Sequence, residues 1–252
     1  MGSVGTPGPR ALRIGVPLDQ PGVGLRVGSE YTGFDIDVAR DLATRLGVAP
    51  DRITWVPMTD LTADTLISTG QADLIVGTGA AQAPADRVTF VGPYLLARQD
   101  LLVPTAATTV TGPRSLTGKE VCVVSGSGAD ATIRDDYPGV QLRELGSYPS
   151  CISALLDGSV EAVAGPDAVL AGLALQAPVS PLVRVLGRPF GTQAYGITMA
   201  KDDGALCERV TTALAEMIRD GSWQLFFTAD LASMGYHAAA GNPPKPRATC
   251  SS

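Results

Sequence analysis

The stretch Gly70–Gly77 reads GQADLIVG, and Gly158–Gly165 reads GSVEAVAG further along the chain. In each, a glycine that can end a helix precedes an acidic residue, a run typical of a buried strand, and a second glycine. Because the pattern occurs twice, it predicts two lobes of like construction. Ligands of open α/β sheets bind beyond the carboxyl ends of strands. We therefore expect the segments after these two strands to face each other across a cleft.

Strand and helix patterns alternate around these two stretches. Strands are predicted at 12–16, 53–56, 72–76, 121–124 and 160–164, and helices at 35–46, 61–69, 148–156 and 206–218. Asp35 is expected to cap the first helix. The alternation is typical of an α/β protein with mainly parallel sheets.

The composition narrows the class of protein. The chain has 252 residues, 45% of them hydrophobic, which is enough for one large core or two small ones. A net charge of −6 without a cluster of Lys or Arg argues against nucleic acid and anionic membranes as partners. No apolar run approaches the roughly 18 residues of a membrane span. Residues 1–10 are rich in Gly, Pro and Ser, and we expect a disordered tail whose secretion signal is either removed or was never present.

The cysteines and the single histidine give little sign of metal chemistry. Cys122, Cys151, Cys207 and Cys250 are widely spaced and allow two disulfides in three pairings, or free buried thiols. His237 has no partner pattern, which counts against a metal site and a Ser-His-Asp triad. The Gly-rich turn at 125–128 lacks the spacing of a dinucleotide fingerprint. We therefore expect no metal and no cofactor.

An ordered set of short motifs runs through about residues 11–240. It comprises Asp19–Gly24, Tyr31–Ala39, Gln71–Val76, Phe90–Tyr94, Gln99–Val103, Leu116–Lys119, Ser125–Gly128, Gly187–Phe190, Tyr195–Ile197 and Gly221–Trp223. The set resembles the family 3 extracellular solute-binding proteins, which serve polar amino-acid ABC importers. The likeness is strongest to the glutamate-binding lipoproteins of actinobacteria.

The resemblance implies a type II clamshell, in which two α/β lobes joined by two crossover strands close around a ligand. The implied lobes are 11–94 with 194–240 and 99–189, the hinge is 95–98 and 190–193, and 241–252 is a C-terminal tail. The resemblance also pairs Cys122 with Cys151, which leaves Cys207 to hold the tail through Cys250. It implies an extracellular, monomeric lipoprotein that hands a small molecule to an ABC permease.

Polar residues at strand ends and loops are the candidate ligand contacts. They are Asp19, Gln20, Tyr31, Thr78, Gly79, Ala80, Arg98, Ser127, Gly128 and Asp167. Ser127 and Gly128 open a helix whose free N–H groups can bind an anion, and Asp167 could hold an ammonium group. Each has a plainer reading: a turn before Pro21 for the first two, surface packing for Tyr31, or the helix dipole for Asp167. We expect Asp19, Thr78, Ser127 and Asp167 to converge on one gap.

The two charged anchors of the family are displaced in this sequence. The family's Arg, which grips the ligand carboxylate, falls on Pro84 or Ala85, and its Asp, which holds the ammonium, falls on Pro166. A buried charge without a partner is costly, so a site that lacks the Arg should bind a carboxylate poorly. We expect an altered specificity, unless Arg87 or Arg98 replaces the anchor.

Two other functions fit the same sequence. The clamshell could be the sensing domain of a receptor, with closure as the signal and a signalling protein as its partner. It could also be a dehydratase, with Asp19, Glu30 or Asp167 as the acid and Arg98 as the carboxylate clamp. We predict a binding protein rather than an enzyme.

Overall fold

The computed structural model describes residues 11–83, 86–176, 178–248 and 250, which form two α/β lobes. The first lobe begins with β1 (Leu12–Val16), β2 (Asp19–Gln20), β3 (Gly24–Val27), β4 (Glu30–Thr32), α1 (Phe34–Arg45), β5 (Ile53–Pro57), α2 (Ala63–Ser68) and β6 (Leu74–Gly79). The long strand β7 (Val88–Pro104) leads into the second lobe, which contains β8 (Glu120–Val124), α3 (Ala129–Asp136), β9 (Gln141–Leu145), α4 (Tyr148–Leu156), β10 (Ala162–Pro166), α5 (Asp167–Ala174) and β11 (Val183–Val185). The chain returns along β12 (Gly191–Ala200) to α6 (Gly204–Arg219) and α7 (Ser222–Phe226). Within the described ranges, no helix has the length and apolar character needed to cross a bilayer.

A single nine-stranded sheet runs through both lobes in the order β5-β1-β6-β12-β7-β10-β8-β9, with β11 beside β7. Within each lobe the outer strands are parallel, as the sequence predicts. The crossover strands β7 and β12 are antiparallel to each other and to their neighbours β10 and β6. The sheet is therefore mixed, because two strands must carry the chain from lobe to lobe in opposite directions.

The two copies of the repeated pattern occupy equivalent places in this sheet. The first leads from α2 into β6, and the second leads from α4 into β10. β6 and β10 flank the crossover pair, one on each side. The repeated pattern thus forms, in each lobe, the strand that lies next to the crossover pair.

Asp35 does not cap α1, so that expectation is wrong. The helix begins after Gly33, and Asp35 is fully buried. The Tyr94 hydroxyl donates a 2.7 Å hydrogen bond to Asp35 Oδ1. Burial raises the pKa of Asp35 to about 7. The Tyr94 hydrogen bond lowers this pKa, but by less than burial raises it, and the nearby charge of Asp230 raises it slightly further. Asp35 therefore ties α1 to the first crossover strand instead of satisfying the helix end.

Two disulfides and a C-terminal strap hold the ends of the fold. Cys122 on β8 is bonded to Cys151 on α4, and Cys207 on α6 is bonded to Cys250. Both pairings implied by the resemblance are confirmed. The strap, residues 242–248, lies along β7. There the Asn242 side chain accepts from the Leu96 N–H at 2.8 Å and donates to the Leu96 carbonyl at 2.7 Å.

Candidate functional site

A small cavity of about 20 Å³ lies at the seam between the lobes. This is room for little more than a water molecule, so the lobes are closed on each other. Residues of the first lobe on its wall are Pro17, Asp19, Gln20, Met58, Thr59 and Asp60; those of the second lobe are Val124, Gly146 and Tyr148. The predicted contacts Asp19 and Gln20 are therefore at the seam.

Two direct contacts hold the lobes together at the seam. Asp19 Oδ2 accepts a 3.3 Å hydrogen bond from the backbone N–H of Tyr148, at the start of α4. The Pro21 carbonyl packs against Gly172 on α5 so closely that a Cβ on Gly172 would overlap it. The glycine is thus required for the two lobes to approach this far.

Asp60 is a seam residue that the sequence reasoning missed. It follows the carboxyl end of β5, the same kind of position that drew attention to Asp19 and Thr78. Burial raises the pKa of Asp60 to about 7, and the charges of Asp130, Asp19 and Asp35 add to the effect. Burial also raises the pKa of Asp19. The seam therefore concentrates carboxyl groups from both lobes in a poorly solvated place.

The second lobe contributes hydroxyl groups beside these carboxyls. Burial raises the pKa of Tyr148 well above its usual value, and the charges of Asp60 and Asp19 add to this effect. Ser127 is 3% exposed and lies next to Tyr148. The two hydroxyls do not meet hydrogen-bond geometry, and Ser127 Oγ has no hydrogen-bond partner among the described residues. The neighbouring Gly128 N–H donates to Asp130 Oδ1 at 3.0 Å.

Thr78, Gly79 and Ala80 stand at the carboxyl end of β6, as expected, but do not line the seam cavity. Thr78 is buried and its Oγ1 has no hydrogen-bond partner within the described part of the chain. Tyr31 stacks on Trp55 at a ring distance of 5.3 Å, on the first lobe. That Tyr31, Thr78, Gly79 and Ala80 contact a ligand therefore remains a prediction.

Arg98 and Asp167 contact each other rather than the seam cavity. Arg98 donates to the two Asp167 carboxyl oxygens, from its backbone N–H at 3.0 Å and from Nε at 2.8 Å. Both residues line a different cavity of about 280 Å³ beside the crossover strand β7, together with Tyr236 and His237. Of the residues expected to converge, Asp19 lines the seam cavity and Ser127 lies behind it next to Tyr148, whereas Asp167 lines the other cavity.

The possible substitutes for the family's Arg are both engaged elsewhere. Arg87 forms a 2.6 Å ion pair with Asp64 and its side chain is 59% exposed. Arg98 is held by Asp167. The family position itself, Pro84 or Ala85, lies outside the described residues, as do residues 1–10. Over the described ranges, no group of three or more His, Cys, Asp or Glu has metal-binding geometry.

The fold and the closed seam together define a two-lobed, type II solute-binding clamshell. The structure of an ancestral arginine-binding protein bound to glutamine superimposes with a TM-score of 0.78, at 26% identity, covering 87% of this chain and 96% of that one.

The sequence comparisons give the family. The model for "Bacterial extracellular solute-binding proteins, family 3" matches residues 12–228, and the chain belongs to that family. The glutamate-binding protein GluB of Corynebacterium efficiens is 34% identical over 92% of this chain and 82% of its own length. The ABC transporter glutamine-binding protein GlnH of Bacillus subtilis is 28% identical over 83% of this chain and 77% of its own length. These relatives are binding proteins, not enzymes.

Proposed function

We propose that this protein captures a small polar molecule, an amino acid or an analogue, between its lobes and delivers it to an ABC importer. The observation that carries the proposal is the seam, where Asp19 of one lobe reaches the N-terminus of α4 in the other. Relatives named as glutamate- and glutamine-binding proteins support an amino-acid-like ligand. The predicted division of the chain, with 11–94 and 194–240 in one lobe, 99–189 in the other and hinges at 95–98 and 190–193, is part of this proposal.

We propose Asp19, Gln20 and Ser127 as ligand contacts in the closed form, with Tyr31, Thr78–Ala80 and Gly128 facing the cleft when the lobes part. The Arg98–Asp167 pair is assigned to the hinge, since each residue satisfies the other. Glutamate should bind weakly, because the described part of the cavity wall offers no cation for its carboxylates. The protein acts as a monomer and is anchored as a lipoprotein; both features rest on the family resemblance.

The test is a thermal-shift screen of amino acids, amines, sugars and organic acids. A ligand at 100 times its Kd stabilises the folded state by about 2.7 kcal/mol, which is easily seen as a higher melting temperature. We expect at least one polar amino acid or analogue to raise it.

Gly172→Ala is the matched variant for this screen. The added methyl group overlaps the Pro21 carbonyl only when the lobes are closed, whereas within the helix Ala is favoured over Gly by about 0.5–1 kcal/mol. We expect the variant to keep its unliganded melting temperature and to bind the same ligand more weakly. Unchanged affinity would show that binding does not need this closure.

A further inference from the structure

We infer that the larger cavity, beside β7, is a second binding site, and that it takes an apolar α-amino acid such as leucine. Among the described residues, this cavity of about 280 Å³ shares no lining residue with the small cavity at the seam. It is a site in addition to the one at the seam, and its evidence does not depend on what the seam binds. That evidence is two charged side chains of β7, the apolar part of the wall, and the size of the cavity.

The cavity is walled by parts of both lobes. α5 and β11 of the second lobe contribute most of its lining, and residues 234–237, which follow α7, contribute the rest from the first lobe. Its volume lies near the lower end of the about 300–1,000 Å³ that is typical of small-molecule pockets. The seam cavity has room for little more than a water molecule. Of these two cavities, the larger one can therefore hold a molecule of amino-acid size while the lobes are closed.

A buried carboxylate with an incomplete set of partners lines this cavity. Asp100 is 3% exposed. Its Oδ1 accepts from the Leu101 N–H at 2.7 Å and from the Arg188 N–H at 3.3 Å, whereas its Oδ2 accepts from no residue that the structure describes. Burial raises the pKa of Asp100, so its charged form is poorly stabilised. An ammonium group at Oδ2 would supply both the missing donor and the missing charge.

Arg98 supplies the complementary charge on the same strand. Its Nε donates to Asp167 Oδ2 at 2.8 Å, and its backbone N–H donates to Asp167 Oδ1 at 3.0 Å. Within the described ranges, neither terminal amino group of Arg98 has a hydrogen-bond partner. The side chain is 41% exposed, so these groups stay within reach of a ligand. A guanidinium presents paired N–H donors that match the geometry of a carboxylate.

The two charges are spaced for a zwitterion. Arg98 and Asp100 are two residues apart on β7, so their side chains leave the same face of the strand about 7 Å apart. An α-amino acid carries its ammonium and carboxylate groups on one carbon, so it can lie between the two side chains with each group on its opposite charge. A ligand that lacks either group would leave Arg98 or Asp100 without that partner.

The apolar part of the wall favours an apolar side chain on the ligand. It consists of Ala171, Ala174 and Leu175 on α5, Val185 on β11, and Met234. Leu175 is 53% exposed, which leaves a large hydrocarbon surface at this wall for a ligand to cover. Removing apolar surface from water is favourable in proportion to the area covered. Tyr236 and His237 complete the lining without adding another carboxylate or guanidinium.

The first experiment measures Kd by calorimetry on the full chain. L-leucine is compared with isoamylamine, which lacks the carboxylate, and with isocaproate, which lacks the ammonium group. We expect leucine to bind at least ~10-fold more tightly than either probe, because each probe leaves one charge of the site without its partner. Equal binding of leucine and either probe would overturn the pairing with Arg98 and Asp100. No binding of leucine would overturn the site itself and would leave the proposed capture at the seam standing.

Matched substitutions in the two cavities locate the bound leucine. Asp100→Asn removes the charge from the larger cavity and should weaken leucine binding at least ~10-fold. Asp60→Asn makes the same change in net charge at the seam and should leave this Kd within ~2-fold. The opposite pattern would place leucine at the seam, which would overturn the second site and support the proposed function. Equal weakening by both variants would reduce the effect to net charge and would also overturn it.

A second pair of variants tests the cavity without changing any charge. Ala171→Leu fills part of the cavity and should abolish leucine binding. Ala215→Leu makes the same change on the exposed face of α6 and should leave Kd unchanged. Undiminished leucine binding in Ala171→Leu would show that the amino acid does not occupy this cavity. The melting temperature without ligand shows that all four variants are folded.

Discussion

The disulfide between Cys207 and Cys250 is expected to provide much of the stability of the first lobe. It joins α6 to the end of the C-terminal strap, across 43 residues of chain. The perturbation is the double substitution Cys207→Ala and Cys250→Ala. Alanine is chosen because Cys207 is 1% exposed, and a buried serine hydroxyl would need a partner.

The size of the effect follows from the length of the closed loop. Releasing a loop of 43 residues restores conformational entropy to the unfolded chain worth about 4 kcal/mol at 25 °C. In a protein of this size, 1 kcal/mol corresponds to about 2–4 °C in melting temperature, so the double variant should melt about 8–16 °C lower. The strap would then be held only by contacts such as those of Asn242 and by a β-bridge between Gly92 and Arg247.

The assay is urea unfolding followed by tryptophan fluorescence, since Trp223 is buried in the first lobe and donates to the Tyr94 carbonyl. The control is Cys122→Ala with Cys151→Ala, whose loop of 29 residues gives a similar entropic value of about 3.6 kcal/mol but lies in the second lobe. Each double variant retains the other disulfide, so reductant should destabilise both variants further. If the Cys207 and Cys250 variant unfolds within about 0.5 kcal/mol of the parent, the loop-entropy argument does not apply to this strap.

Two further substitutions probe the first lobe. Asp35→Asn should stabilise the fold at pH 8 and have little effect at pH 4. The folded-state pKa of about 7 lies above the ordinary value, so the stability that the neutral acid contributes is complete below about pH 4 and is lost as pH rises through 7. Unfolding free energies at the two pH values measure this, and a parent whose stability does not fall over that range would contradict it. Asn242→Ala should cost about 1–3 kcal/mol, because it leaves the Leu96 N–H and carbonyl without these partners. Hydrogen exchange at the Leu96 amide should accelerate, with the Leu95 amide, bonded within the sheet to β12, as the internal reference.

Local patterns were enough to predict most of the elements. Helix α4 occupies Tyr148–Leu156, the range that its apolar spacing predicts, and β1 occupies Leu12–Val16. These predictions succeed because apolar periodicity and glycine stops act within one turn or one strand. Asp35 shows where such reasoning fails. Its position before an apolar helical run is typical of a cap, but a tyrosine 59 residues away binds its side chain.

The sequence by itself determined the class of fold, through a repeated helix–glycine–strand pattern and an ordered set of family-like motifs. It also indicated that the usual charged anchors are displaced. Only the tertiary structure decided which charges meet. Asp19, Asp60 and Asp130 come from separate segments, and Arg98 turns to Asp167 instead of the seam. The physical reason is that burial and closeness set the energy of a charge, and both depend on how the lobes pack.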